Sequence, residues 1–228
     1  MGKRLYLPLG ILALTLHLGV AQAATLWDNG GPAVVDQGGS EMSDTNQADD
    51  FSLAVASDLT GIRFWDLEAS PADYNGSIFW RIVNNAAGSP GVTSFGSGTA
   101  TPTRLVQGTN AGLNLFQNDF AISISNLAAG TYWLELHNGP ILASNPFTDF
   151  YWSFADLNGI NTPTNRGREF ALPPEPNFGW TTNDSEHAFL VSGVPVQIPP
   201  PPGVPEPGTM ALIGVAIAAL SLRRRRKG

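Results

Sequence analysis

Between Ala24 and Gly193 apolar and polar residues alternate in short runs, and helical periodicity is nearly absent. Phe51, Leu53 and Val55 alternate with Ser52, Ala54 and Ala56, and Ile62 and Phe64 follow across a break at 58–61. Ser77 to Val83 is a run of β-formers that contains Arg81. Ile122 and Ile124 alternate with Ala121, Ser123 and Ser125, and Tyr132, Leu134 and Leu136 with Trp133, Glu135 and His137. Phe150 to Phe154 and Ala188 to Val191 are aromatic or aliphatic runs. Each predicts a half-buried strand with one face inward. Between them stand turn signals such as Asn75-Gly76, Ser89-Pro90-Gly91 and Asn138-Gly139-Pro140. Short strands with such connections predict an all-β fold, an antiparallel β-sandwich rather than a parallel α/β sheet.

The two ends follow other rules. Lys3 and Arg4 precede an apolar run from Leu5 to Val20 and then Ala21-Gln22-Ala23. That order reads as a signal peptide over 1–23, with an apolar helical core and cleavage between Ala23 and Ala24. From Val194 to Gly203 five prolines, four of them consecutive at 199–202, predict an extended, semi-rigid linker. Residues 204–228 hold Pro205, Glu206 and Pro207, an apolar stretch Thr209–Leu222, and the basic cluster Arg223, Arg224, Arg225, Arg226 and Lys227. As a helix, that fourteen-residue stretch would cover roughly 20 Å of a hydrocarbon core near 30 Å. It predicts a short transmembrane helix whose arginines snorkel to the interface and stay cytoplasmic.

Charge sharpens the picture of the middle. Residues 24–203 carry five arginines and no lysine against eighteen acids, a formal −13, although the whole chain is only −7. Such a surface repels nucleic acid and anionic lipid, which excludes both as partners of the domain. The chain has no cysteine, so disulfides, thiolate metal sites and cysteine nucleophiles are excluded as well.

No phosphate loop, HExxH motif or nucleophile elbow occurs, and no catalytic residue is assigned. His137 falls on the polar side of its strand and His187 precedes the last one; lone exposed histidines read as surface residues. Asp49, Asp50, Glu135, Asp149, Asp156, Glu169 and Glu186 are the carboxylates from which a glycosidase pair would be drawn, but their spacing singles out no two. No cofactor is assigned. The oxygen-rich stretch holding Glu41, Asp44, Asn46, Asp49 and Asp50 could take calcium, although it lacks EF-hand spacing. Of the six tryptophans, Trp27, Trp65, Trp80, Trp133, Trp152 and Trp180, Trp133 is placed opposite Tyr132 and Leu134, on an exposed face where a sugar ring could stack.

Pro205, Glu206 and Pro207, the small-residue helix with Gly214, Ala216, Ala218 and Ala219, and the arginine cluster resemble the PEP-CTERM sorting signal of Gram-negative bacteria. The resemblance covers about the last 25 residues. It implies an exosortase as processing partner, a temporary inner-membrane anchor, and release to the cell surface or matrix of an exopolysaccharide producer. The series Asp49-Asp50-Phe51-Ser52-Leu53, Gly61-Ile62-Arg63-Phe64-Trp65, Gly130 to Leu136, Phe150-Tyr151-Trp152 and Glu186 to Gly193 is similar to jelly-roll-like domains attached to such tails. These carry no general activity. The expectation is an exported, non-enzymatic surface or matrix protein that binds exopolysaccharide; the alternatives are a polysaccharide-active hydrolase and a purely structural adhesion subunit.

Overall fold

The computed structural model describes residues 23–33, 38–141, 149–156, 167–171, 179–183 and 185–196, with Leu212 and Val215 of the tail. The chain forms two compact units, 1–196 and 197–228. Strands of the first are β1 (Ala24–Asp28), β2 (Gly39–Glu41), β3 (Thr45–Leu53), β4 (Ser57–Glu68), β5 (Ile78–Asn85), β6 (Pro90–Ala100), β7 (Thr103–Asn110), β8 (Leu113–Leu127), β9 (Gly130–Asn138), β10 (Phe150–Ser153), β11 (Arg168–Ala171), β12 (Trp180–Thr182) and β13 (Phe189–Pro195).

They build two antiparallel sheets. One runs β12-β11-β3-β9-β5-β6. In the other β4 is the hub: β8 lies along one side, with β7 beyond it, while β13 and β10 share the other side, backed by β1 and β2. Parity explains the core between them. Phe51 and Leu53, Ile78, Trp80 and Ile82, and Tyr132, Leu134 and Leu136 point from the first sheet. Ile62 and Phe64, Phe120, Ile122 and Ile124, Trp152 and Phe189 meet them from the second. At about 25 cal/mol per Å² of apolar surface, this shared layer is the main favourable term. The arrangement is a β-sandwich compatible with a jelly-roll-like domain.

Four expectations change. β4 runs unbroken through 58–61, where bulges rather than a loop absorb the irregular register. The alternation of Phe51 and Leu53 ends there, and Val55 is exposed in the turn to β4. Trp133 is fully buried, because the outer face of its sheet is covered: Trp180 packs on it with Ala48 and Val83, and Arg168 stacks over its ring at 5.4 Å. His137 is buried too, Nδ1 facing Gly139 O at 3.2 Å and Nε2 facing Ser43 O at 3.1 Å. Burial pushes its imidazole below the ordinary range. No helix among the described residues is long and apolar enough to cross a membrane. The expected signal helix and tail helix lie outside them, except for Ala23 and for Leu212 and Val215, whose backbone is helical.

Candidate functional site

The ladder between β11 and β3 ends at Arg168–Ala48, so the edge of β3 beyond it is open to other groups. Asp49, inward by the parity it shares with Phe51, is met there by the segment that enters β13. Its Oδ2 accepts the His187 backbone N–H at 2.5 Å and faces His187 Nδ1 at 3.0 Å, and Oδ1 accepts the Asp50 N–H at 2.8 Å. His187 Nε2 lies 2.9 Å from Ser40 Oγ, and its ring stacks on Trp152 with centroids 4.6 Å apart. Burial drives the His187 pKa down to about 3. The neutral ring therefore donates from Nδ1 to Asp49 and accepts the Ser40 hydroxyl at Nε2. Gly167 seals the ring from beyond: a Cβ there would stand 2.5 Å from His187 Cε1. Ser40, His187 and Asp49 have the order of a nucleophile, base and orienting acid. His187 is 0% exposed and Ser40 8%, however, so the relay belongs to the packed interior rather than to a cleft.

Glu186 adds a third carboxyl. Oxygens of Asp49, Asp50 and Glu186 all lie within 4.8 Å of one another. Glu186 Oε2 accepts from Asn29 Nδ2 at 3.3 Å, whereas Oε1 is buried with no hydrogen-bond partner. Burial, then the neighbouring Asp49 charge, pushes the Glu186 pKa up to about 9. Asp49 is raised as well, chiefly by burial. Like charges in the interior resist ionising together.

A second polar group sits at another part of the core. Asp66 and Glu68 follow Phe64 on the inward face of β4, and Arg104 of β7 reaches both. Asn118 of β8 also bonds Asp66. The guanidinium is held between Tyr74 at 4.3 Å and Phe116 at 4.2 Å. Burial raises both carboxyls and Arg104 opposes it. This group reads as an internal ion cluster that plugs the core.

The open surface feature is elsewhere. Pairing of β7 with β8 begins at Thr103–Asp119, which leaves Phe120 to Ser123 of β8 without a strand on that side. There β6 and β8 border a groove of about 740 Å³, lined by Trp80 with Ser97, Thr99, Thr101, Asp119 and Ser123 among others. Trp80 is 8% exposed, and Gly98 packs directly against its indole. A Cβ at that position would meet the indole Nε1 at 3.1 Å and Cε2 at 3.3 Å, closer than an ordinary contact, so glycine is what lets β6 pass over the ring.

The predicted residues distribute as follows. Asp49, Asp50 and Glu186 are brought together; Glu41 and Asp44 are not with them. Glu41 instead closes its own turn, accepting the backbone N–H groups of Ser43 and Asp44 at 2.5 and 2.7 Å. Asn46 donates to Glu135, which also binds Arg81 at 2.6 Å. Glu169 accepts from Gln47 at 3.0 Å and Asp149 from Tyr151 at 3.1 Å. Trp65 and Trp152 are packed interior residues. Ala23 and Ala24 are described, Ala24 opening β1. Pro205, Glu206, Pro207, Arg223, Arg224, Arg225 and Arg226 lie outside the described residues. Ser40 and Arg104 were not singled out from the sequence; the one available signal was an arginine inside an otherwise uncharged strand.

Residues 203–226 match the PEP-CTERM protein-sorting motif. No curated protein matches the chain.

Proposed function

We propose that this chain, an exosortase-targeted surface protein by its C-terminal address, is a non-enzymatic domain that binds a neutral polysaccharide of the producing cell in the groove between β6 and β8. The observation that carries the reading is the groove itself, where the small exposed part of Trp80 (8%) lies among serine and threonine hydroxyls beside the stretch of β8 that no strand pairs on that side. An indole edge flanked by hydroxyls and open strand backbone suits a ligand that is all hydroxyl groups and pyranose faces. The charge of −13 over 24–203 disfavours polyanions, hence a neutral chain.

Binding rather than cleavage is supported by the lining. Glycoside hydrolysis uses two carboxyls roughly 5–10 Å apart across the bond. Among the described lining residues the groove offers Asp119, already held by Arg63 Nε and Gln117 Nε2, each at 2.7 Å. Titration calorimetry of the exported protein against neutral exopolysaccharide purified from the host tests the proposal. Gly98→Val should weaken binding about tenfold, roughly 1.4 kcal/mol, by narrowing the groove and displacing the part of the indole that reaches it. Wild-type protein that is folded yet silent, or a Gly98→Val variant that binds as well, refutes it.

A further inference from the structure

We propose that Asp49, Asp50 and Glu186 form a binding site for a divalent cation of the calcium type. Their carboxylate oxygens lie within 4.8 Å of one another. Calcium takes oxygens at about 2.3–2.6 Å, so two ligands of one ion stand at most about 5 Å apart, and the set fits inside that limit. Glu186 is 6% exposed, and its Oε1 has no partner. A buried carboxylate oxygen left without a donor is costly, and a cation among these oxygens would satisfy it.

Lone-pair accounting agrees. A carboxylate offers about four acceptor sites. Asp49 spends three, on His187 N, His187 Nδ1 and Asp50 N, and its remaining position faces the Glu186 carboxyl, the contact a cation between them would replace. Glu186 spends one on Asn29 and also meets the Asp49 carboxyl, while its Oε1 accepts from no donor. Asp50 has a further interaction of its own. The charge that most needs a counter-ion is therefore that of the Asp49–Glu186 pair. Waters would complete the six to eight oxygens calcium prefers. The site joins β3 to the segment entering β13, so an ion there would tie the last strand to the opposite sheet.

The test uses the exported full-length protein stripped with chelator, then titrated with calcium chloride alone by calorimetry and followed by thermal melting. Binding in the roughly 0.1–1 mM range of extracellular calcium modules is expected. At about 5 mM calcium that corresponds to a rise in Tm of roughly 3–6 °C. Glu186→Gln should keep its chelator-state Tm at or above wild type, because it removes a charge beside Asp49, yet lose the calcium-dependent rise. Should that variant fail to fold, Asp50→Asn decides by the same loss. A wild-type protein with neither heat nor Tm shift up to 10 mM calcium overturns the proposal. So does retention of the full response in both variants, or a response to magnesium equal to that to calcium.

Discussion

Replacing Arg104 by methionine is the sharpest test of the ion cluster in the core. The side chain is 16% exposed, while those of Asp66 and Glu68 are fully buried. Arg104→Met keeps an apolar side chain but withdraws the guanidinium held between Tyr74 and Phe116 and leaves two carboxyls in the interior without their counter-charge. Breaking a buried pair in this way costs about 3–5 kcal/mol. The lost cation–π contacts add about 0.5–2 kcal/mol. Set against a total stability of roughly 5–15 kcal/mol, the variant should be folded but marginal, with Tm lower by roughly 7–28 °C. The pH dependence has a definite sign. Both carboxyls are raised in the fold, so the stability they allow is fully present below their unfolded values, near 4, and is lost as pH rises through the folded ones. Without Arg104, which holds both down, the folded values climb further, and the loss continues to higher pH. The deficit of Arg104→Met against wild type should therefore be small near pH 4 and largest at pH 7. Urea unfolding at both values reads it. Adding Asp66→Asn to the variant should recover part of the neutral-pH loss. A deficit under about 1 kcal/mol at pH 7, or one equal at both pH values, refutes the reasoning.

Three further outcomes are expected. Trp133→Ala should cost about 3–5 kcal/mol in urea unfolding, as for a packed interior ring, whereas a solvent-facing one would cost under about 0.5 kcal/mol. Gly167→Val should lose about 1–3 kcal/mol, because its Cβ would stand 2.5 Å from His187 Cε1 and 2.6 Å from Ser185 O; unchanged stability would show that the loop does not seal the ring. Protein from the native host should have an intact mass that starts at Ala24 and excludes Arg223 to Gly228, and a mass retaining that cluster would contradict processing.

The inward half of the sandwich was legible in the sequence because one rule governs it. Phe51 and Leu53, Ile62 and Phe64, Ile122 and Ile124, and Tyr132, Leu134 and Leu136 alternate with polar or small neighbours, and all are core. The same rule misplaced Trp133 and His137. Parity assigns a residue to a face but says nothing of what covers that face, and here Trp180, Arg168 and the turn at Ser43 cover it. β6 and β7 escaped notice because edge strands rich in Ser, Thr and Gly bury little and so show weak alternation. The acidic cluster was half visible. Asp49-Asp50 stood out as neighbours, but Glu186 reaches them only through long-range register. Its one local sign is a polar Glu186-His187 pair abutting the apolar run of the last strand with no turn residue between.

The topology gives the two ends a shared logic. β1 pairs with β13, Ala24 standing opposite Gly193, and β13 lies between β1 and β4. The last strand is thus an interior one, and the sheet cannot close until residues up to Pro195 have been delivered; non-local pairing of this kind folds slowly. The ladder is flanked rather than interrupted by the sites where the chain would be cut. Ala24 is the first residue of β1, so cleavage before it removes no strand. Val196, whose N–H donates to Ala56 O at 2.8 Å, makes the last backbone bond among the described residues of the domain. A cut within 205–207 therefore falls nine residues or more beyond it and breaks none of these bonds. Processing at the sorting motif would thus leave every described backbone bond of the sandwich in place, so the domain can be complete before the tail is removed.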